Sequence, residues 1–359
     1  MGSMSTKTPP QGKATSRLTE RDRRVLDTTF SIDSRALSVV RILFGLFILI
    51  EAFTLGAPEW EPEGLFGTLA SYGHLLVVPF ALMLMLGYRT KVAVVLCWLV
   101  YSLRVRGDLL DVAAEVSVGD YIMTLALFWM MFLPLGRHLS LDARREPAGP
   151  IRFVSLASAA LLFQVFIIYF SAGLLKETGE WVGEATAMQS ILSVPEFNSS
   201  LGEWMLQFPA VLSVMSIATI ALEVIGGILV IFPGKSLPTR RMIVAPMFIA
   251  LHVGIALFMD LGVFPFICMA VWLLFMPAKF WDWVWARLFR DTTPSVLQVD
   301  SNKWRALVVG VAIVIAAVSN ILTWMYFPEF DGWVQGWQNM ATYLLLYQQW
   351  AMFSVPSSL

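Results

Sequence analysis

The chain has 359 residues, 57% of them hydrophobic and only 14% charged, with a net charge of −1 and a mean hydropathy of +0.70. A soluble domain carries roughly 25% charged residues, so this composition excludes an ordinary soluble protein. With no basic patch and no phosphate-cradling loop, it also excludes a nucleic-acid partner.

Met1-Gly-Ser3 reads as a cloning remnant, and the whole stretch 1–35 is polar and basic, without a cleavable signal. Beyond it lie nine apolar blocks: 36–57, 69–87, 91–105, 119–136, 153–175, 208–233, 242–259, 262–280 and 305–327. A helix needs about 17–25 apolar residues to cross a bilayer. The expected fold is therefore an all-α integral membrane protein, a polytopic bundle of about nine transmembrane helices forming one domain over 36–355. If the blocks alternate from a cytoplasmic N-terminus, every Lys and Arg of the 25 falls on the inner side except Arg41, Arg104, Arg106 and Lys176. The outer segments are acidic instead, as at Glu59, Glu61 and Glu63, at Asp108 and Asp111, and from Glu177 to Glu203. The positive-inside rule then places the N-terminus in the cytoplasm and the C-terminus outside, in a multi-pass plasma (inner) membrane protein. Eight spans would put a basic loop on the wrong side. The outer segments are also rich in aromatic and helix-breaking residues, such as Trp333 to Trp337 and the tail 344–353, which predicts interfacial or re-entrant helices there.

Several polar residues sit where hydrocarbon penalises them. Arg41 and Glu51 share a face of the first span but stand about 15 Å apart, so each needs a partner from another helix, and their ordinary role is to tie helices together. Asp120 opens the fourth span, Gln164 lies in the fifth, Glu223 in the sixth and His252 in the seventh. Glu223 reads equally as a neutral interhelical hydrogen-bonding acid or as part of a site, and a lone buried histidine is more often a satisfied core residue. Lys176 ends an apolar helix on the outer side. It is either a snorkelling anchor or a functional cation. With histidine only at His74, His138 and His252, no metal site is expected, and Cys97 and Cys268 read as small core residues.

Five segments in order resemble a known family: Val40 to Gly45 with Glu51; Gly119-Asp-Tyr121 through Phe128 to Pro134 and Ser140 to Ala143; Gln164 to Trp181; His252 with Gly262 to Phe266; and Gln349 to Phe353. The chain is similar to the membrane domain of the vitamin K-dependent γ-glutamyl carboxylases and their bacterial relatives, the HTTM family. The resemblance implies a lyase-type, quinol-epoxidising enzyme. In it Lys176 is the catalytic base that deprotonates a reduced quinone, vitamin K hydroquinone or menaquinol. Reaction with O2 then yields a strong base that removes a γ-proton from glutamate, and CO2 adds to the carbanion. Burial favours the neutral form of an amine, which suits that role. Asp120, Tyr169, Trp181, Glu223 and His252 are the candidate quinone- or substrate-binding residues around it, and the partners implied are membrane lipids and a secreted peptide or small substrate. Two departures stand out. The carboxylases carry an Asn-His pair where this sequence has Val118-Gly-Asp120, and their large lumenal domain has no counterpart among these residues. Two other readings therefore remain open: a non-enzymatic membrane chaperone for a secreted peptide, and a small-anion transporter.

Overall fold

The computed structural model describes residues 19–54, 75–104, 118–145, 149–176 and 179–324, with side chains except at 103, 104 and 319–324. The chain enters through α1 (Glu20–Phe30), started by a capping box in which the Thr19 hydroxyl accepts from the Asp22 N–H and the Asp22 carboxylate accepts from the Thr19 N–H. A two-residue strand, β1 (Ile32–Asp33), leads into α2 (Ser34–Thr54). Then come α3 (Val78–Leu86), α4 (Thr90–Arg104), α5 (Val118–Met130), the short α6 (Leu141–Arg145) and β2 (Ile151–Val154). The central helix α7 (Leu156–Leu174) begins at a second capping box, Ser155 with Ser158. After it lie a π-helical turn at Gly179–Gly183, α8 (Ala187–Leu192), a 3-10 turn at Pro195–Phe197 and α9 (Ser200–Met205). Next come α10 (Pro209–Ile231) and α11 (Leu237–Phe258), α12 (Phe264–Phe275) and α13 (Ala278–Leu288), and finally β3 (Val296–Val299) and α14 (Lys303–Trp324). Prolines in the first turns of α3, α10, α11 and α12 stand where a missing N–H leaves no helical bond unmade.

By length and apolarity, α2, α7, α10 and α11 can each cross a membrane. α12 and α13 pass only together, yet they meet at 105°, so the block expected to run straight over 262–280 turns sharply near Pro277. α4 and α5 are apolar but shorter than a full crossing. The architecture is thus a mostly helical membrane bundle with four such spans among the described residues, fewer than nine. The expected interfacial helices at 59–63, 333–337 and 344–353 lie outside the described residues. After Lys176 the chain forms a run of short helical turns from Gly179 to Met205.

The apolar pattern did not show a small sheet, ordered β1-β2-β3, in which β1 pairs antiparallel to β2 and β2 pairs parallel to β3. It shortens the expected fifth span, whose helix starts at Leu156 because 151–154 is strand. The sheet gathers the basic segments at one end of the bundle. Arg152 bonds Asp27 (2.8 Å) and the Ser295 carbonyl (2.6 Å), Arg35 bridges Asp33 and Asp282, and Arg241 donates to the Thr29 carbonyl at 2.7 Å. The Ser34 hydroxyl accepts from the Ile151 N–H and meets His138 at 3.0 Å. These contacts put the start of α2, the end of α5 and the start of α7 together. Glu51, Asp120 and Lys176 therefore lie at the opposite end.

Arg41 shows how the bundle uses a buried cation. Its guanidinium, fully buried, donates to the Leu84 and Met85 carbonyls at the end of α3 and to the His138 and Leu139 carbonyls. A cation on helix-terminal carbonyls satisfies groups that the helix itself leaves orphaned. α3 can end against Arg41 because Gly87 sits at φ 65°, and a Cβ there would come within 2.2 Å of Ser140 Cβ. The arginine thus ties α2 to the end of α3 and to the segment before α6.

Candidate functional site

α7 carries the candidate base. The helix ends at Leu174, and Leu175 closes it with its N–H on the Ser171 carbonyl. Lys176 follows at once and turns back into the protein, only 4% exposed. Its ammonium donates to Glu223 Oε2 at 2.6 Å and to the Ala172 carbonyl at 3.3 Å, and it stands 4.9 Å from the centre of the buried Trp181 ring. A carboxylate, a helix-terminal carbonyl and an aromatic face each attract a cation. Lys176 is thus not a snorkelling side chain in this structure, because its charge points inward.

Glu223 reaches this position through a distortion of α10. Residues Leu222–Gly226 form a π-helical turn. Turns of this kind are rare inside helices and concentrate at functional sites. α7 approaches the bulge over Gly173, where a Cβ would lie 2.8 Å from Val224 Cγ2 and 3.0 Å from Glu223 Cβ. Sequence reading passed over Gly173, although the small triplet Ser171-Ala-Gly173 is the kind of stripe that lets membrane helices come close. Glu223, which reads from the sequence equally as a neutral interhelical acid or as part of a site, is in this structure the partner of Lys176.

Two helical turns deeper, about 10 Å along α7, Tyr169 faces His252 of α11. The His252 ring places Nδ1 2.8 Å from the Phe248 carbonyl, which assigns that nitrogen its proton and leaves Nε2 to accept from the Tyr169 hydroxyl at 3.1 Å. Aromatic rings enclose the pair. Phe248 and Trp272 stack at 3.8 Å and 9°, Tyr169 stands edge-on to Phe248, and Phe264 lies 6.1 Å from His252. Cys268 is buried beside the same cluster and was read from sequence only as a core residue. Aromatic walls around a few directed polar groups suit a flat, apolar ligand with a polar edge.

The structure therefore brings Lys176, Glu223 and Trp181 together, and Tyr169 with His252 below them. Asp120 is fully buried in the first turn of α5, and Glu51 is buried near the end of α2. Both lie at the Lys176 end of the bundle, but neither is assigned to either cluster. Among the described residues, no group of three His, Cys, Asp or Glu side chains is placed to hold a metal ion.

A family model described as the HTTM domain matches residues 67–283, more than half of the chain. The match covers both clusters and leaves out Arg41 and Glu51. No curated protein and no solved structure matches the chain.

Proposed function

The chain belongs to the HTTM family, a membrane domain of the vitamin K-dependent carboxylase-like kind, and on that premise we propose that it is a membrane enzyme in which Lys176 is the general base for a reduced quinone at the extracytoplasmic face. The observation that carries this reading is the inward, buried position of Lys176 on Glu223, a costly placement for an amine with no task. The end of the bundle that gathers the basic segments is then cytoplasmic, Lys176 faces outward, and the shorter helices complete the nine spans.

The residues on hand fit a quinol. Tyr169 and His252 form a hydrogen-bonded edge inside an aromatic shell of Phe248, Phe264 and Trp272, and Trp181 roofs the ammonium. When bound, a quinol would supply two electrons for O2 and the strong base needed to activate a peptide or small substrate, glutamate carboxylation by CO2 being one such outcome. Lys176 would first pass a proton to Glu223 along their 2.6 Å bond and then, as the neutral amine, take up the proton of an acidic O–H that reaches Nζ on the Trp181 side. The burial of Lys176 and the Trp181 ring beside it keep water from competing for that proton.

Purified protein assayed for quinol oxidation and epoxidation, with Lys176→Ala beside it, tests the proposal. Loss of a positioned base lowers turnover by about 10²–10⁴-fold, with an unfolding midpoint still in the folded range. Equal turnover by Lys176→Ala would refute it. A retained peptide of unchanged mass with no quinol turnover would point instead to the chaperone reading.

A further inference from the structure

The stem of a lysine at a helix end can lie in two directions, inward along the bundle or outward to the headgroup region. Outward is the default, because an ammonium finds water and phosphate there at little cost. Three groups oppose the default here, and they are unequal. The Ala172 carbonyl is a neutral acceptor at 3.3 Å, long for a hydrogen bond, and the Trp181 ring offers only a cation–π contact at 4.9 Å. Glu223 is charged, 2.6 Å away and itself buried. A neutral carbonyl and a ring face do not replace the hydration of an ammonium, whereas a carboxylate at hydrogen-bond distance goes far toward it.

Two features serve to bring that carboxylate across. The π-helical turn Leu222–Gly226 turns Glu223 toward α7, and Gly173 has no side chain to hold the bulge away. Glu223 is also far from the bundle end in its own helix, fourteen residues after the start of α10 at Pro209. The pair therefore draws Lys176 down into the bundle and does not merely neutralise it at the rim. From this arrangement we infer that Glu223 is the positioning residue of the site: it decides whether Lys176 points inward into the bundle or outward to the membrane surface. The inference rests on the reading of Lys176 as the working group, but it concerns where the amine lies and not what it reacts with.

Amine acylation reads that position without any enzymatic assay. The chain has seven lysines, and Lys176 is the one the charge pattern places outside. Sealed right-side-out vesicles holding the protein are treated with a membrane-impermeant succinimidyl ester, and the Lys176 adduct is timed by peptide mass spectrometry. Wild-type Lys176 should label slowly. Glu223→Gln, nearly the same in shape, should label it at least about tenfold faster, because the lost bond is one between charged groups. Glu223→Ala should do so at least as strongly. Glu223→Asp keeps the charge, and the flexible lysine stem can follow it, so labelling stays within about threefold of wild type. Unfolding midpoints of all variants show whether each is folded; if Glu223→Gln does not fold, Glu223→Asp against Gly173→Ala decides the same question. Labelling of wild type as fast as of Glu223→Gln, or an increase below about threefold in the uncharged variants, overturns the inference. Loss of quinol turnover in Lys176→Ala with unchanged labelling across the Glu223 series would leave the proposed function standing and remove only this role of Glu223.

Discussion

Gly173→Ala tests the geometry that joins α7 to the bulge of α10. In an open helix the change adds about 1 kcal/mol of stability, since alanine is the better helix former. Here the new methyl would sit 2.8 Å from Val224 Cγ2, 3.0 Å from Glu223 Cβ and 3.4 Å from the Val224 backbone nitrogen. The valine methyl can rotate away, but Glu223 Cβ is fixed to the bulge backbone, so the two helices must separate by roughly half an ångström or more to reach ordinary contact. Overpacking of this kind costs about 1–3 kcal/mol, which leaves a net loss of about 0–2 kcal/mol after the helix-propensity gain. The same separation lengthens the 2.6 Å Lys176–Glu223 contact toward the edge of hydrogen bonding. Thermal unfolding of the purified protein should show a midpoint unchanged or a few degrees lower, together with faster acylation of Lys176. A midpoint raised as a simple glycine-to-alanine gain would raise it, with Lys176 labelling unchanged, would refute the close-approach argument.

Arg41→Leu removes the donors of four carbonyls at the end of α3 and around His138. Leaving a buried carbonyl without its donor costs about 1–3 kcal/mol, so the variant should unfold well below wild type, while Arg41→Lys, with one compact ammonium, recovers only part of that loss. A near-wild-type midpoint for Arg41→Leu would refute the tie. His138 lies outside the spans, where burial pushes its ring down to about 4 despite the nearby Asp33 carboxylate. Its folded value lies below the free value, so the neutral ring stabilises the protein fully above about pH 6.5 and that stability is lost as pH falls toward 4. Because the ring keeps a solvent-exposed edge, the discounted size is about 1–2 kcal/mol. Unfolding midpoints across that range should fall for wild type more steeply than for His138→Gln, and equal slopes would count against it.

The membrane class, the approximate blocks and the charge asymmetry were all legible in the sequence, because lipid imposes composition and length directly on each segment. The motif order carried the family as well. Lys176 could be picked out but not oriented, since a lysine at a helix end looks the same whether it snorkels or turns inward. The difference lies in Glu223, which stands 47 residues away in sequence. The small sheet was invisible because strands of two to four residues are too short to leave a periodic pattern. The bend between α12 and α13 was likewise hidden, because a continuous apolar run looks alike straight or folded. The sequence by itself thus determined that this chain lives in a bilayer, which end of each block is basic, and which polar residues need partners. Only the tertiary structure decided the partners, giving Lys176 to Glu223, His252 to Tyr169 and Arg41 to backbone carbonyls. A buried polar group's requirement is written in its own residue type, while its answer comes from whichever helix the fold brings alongside.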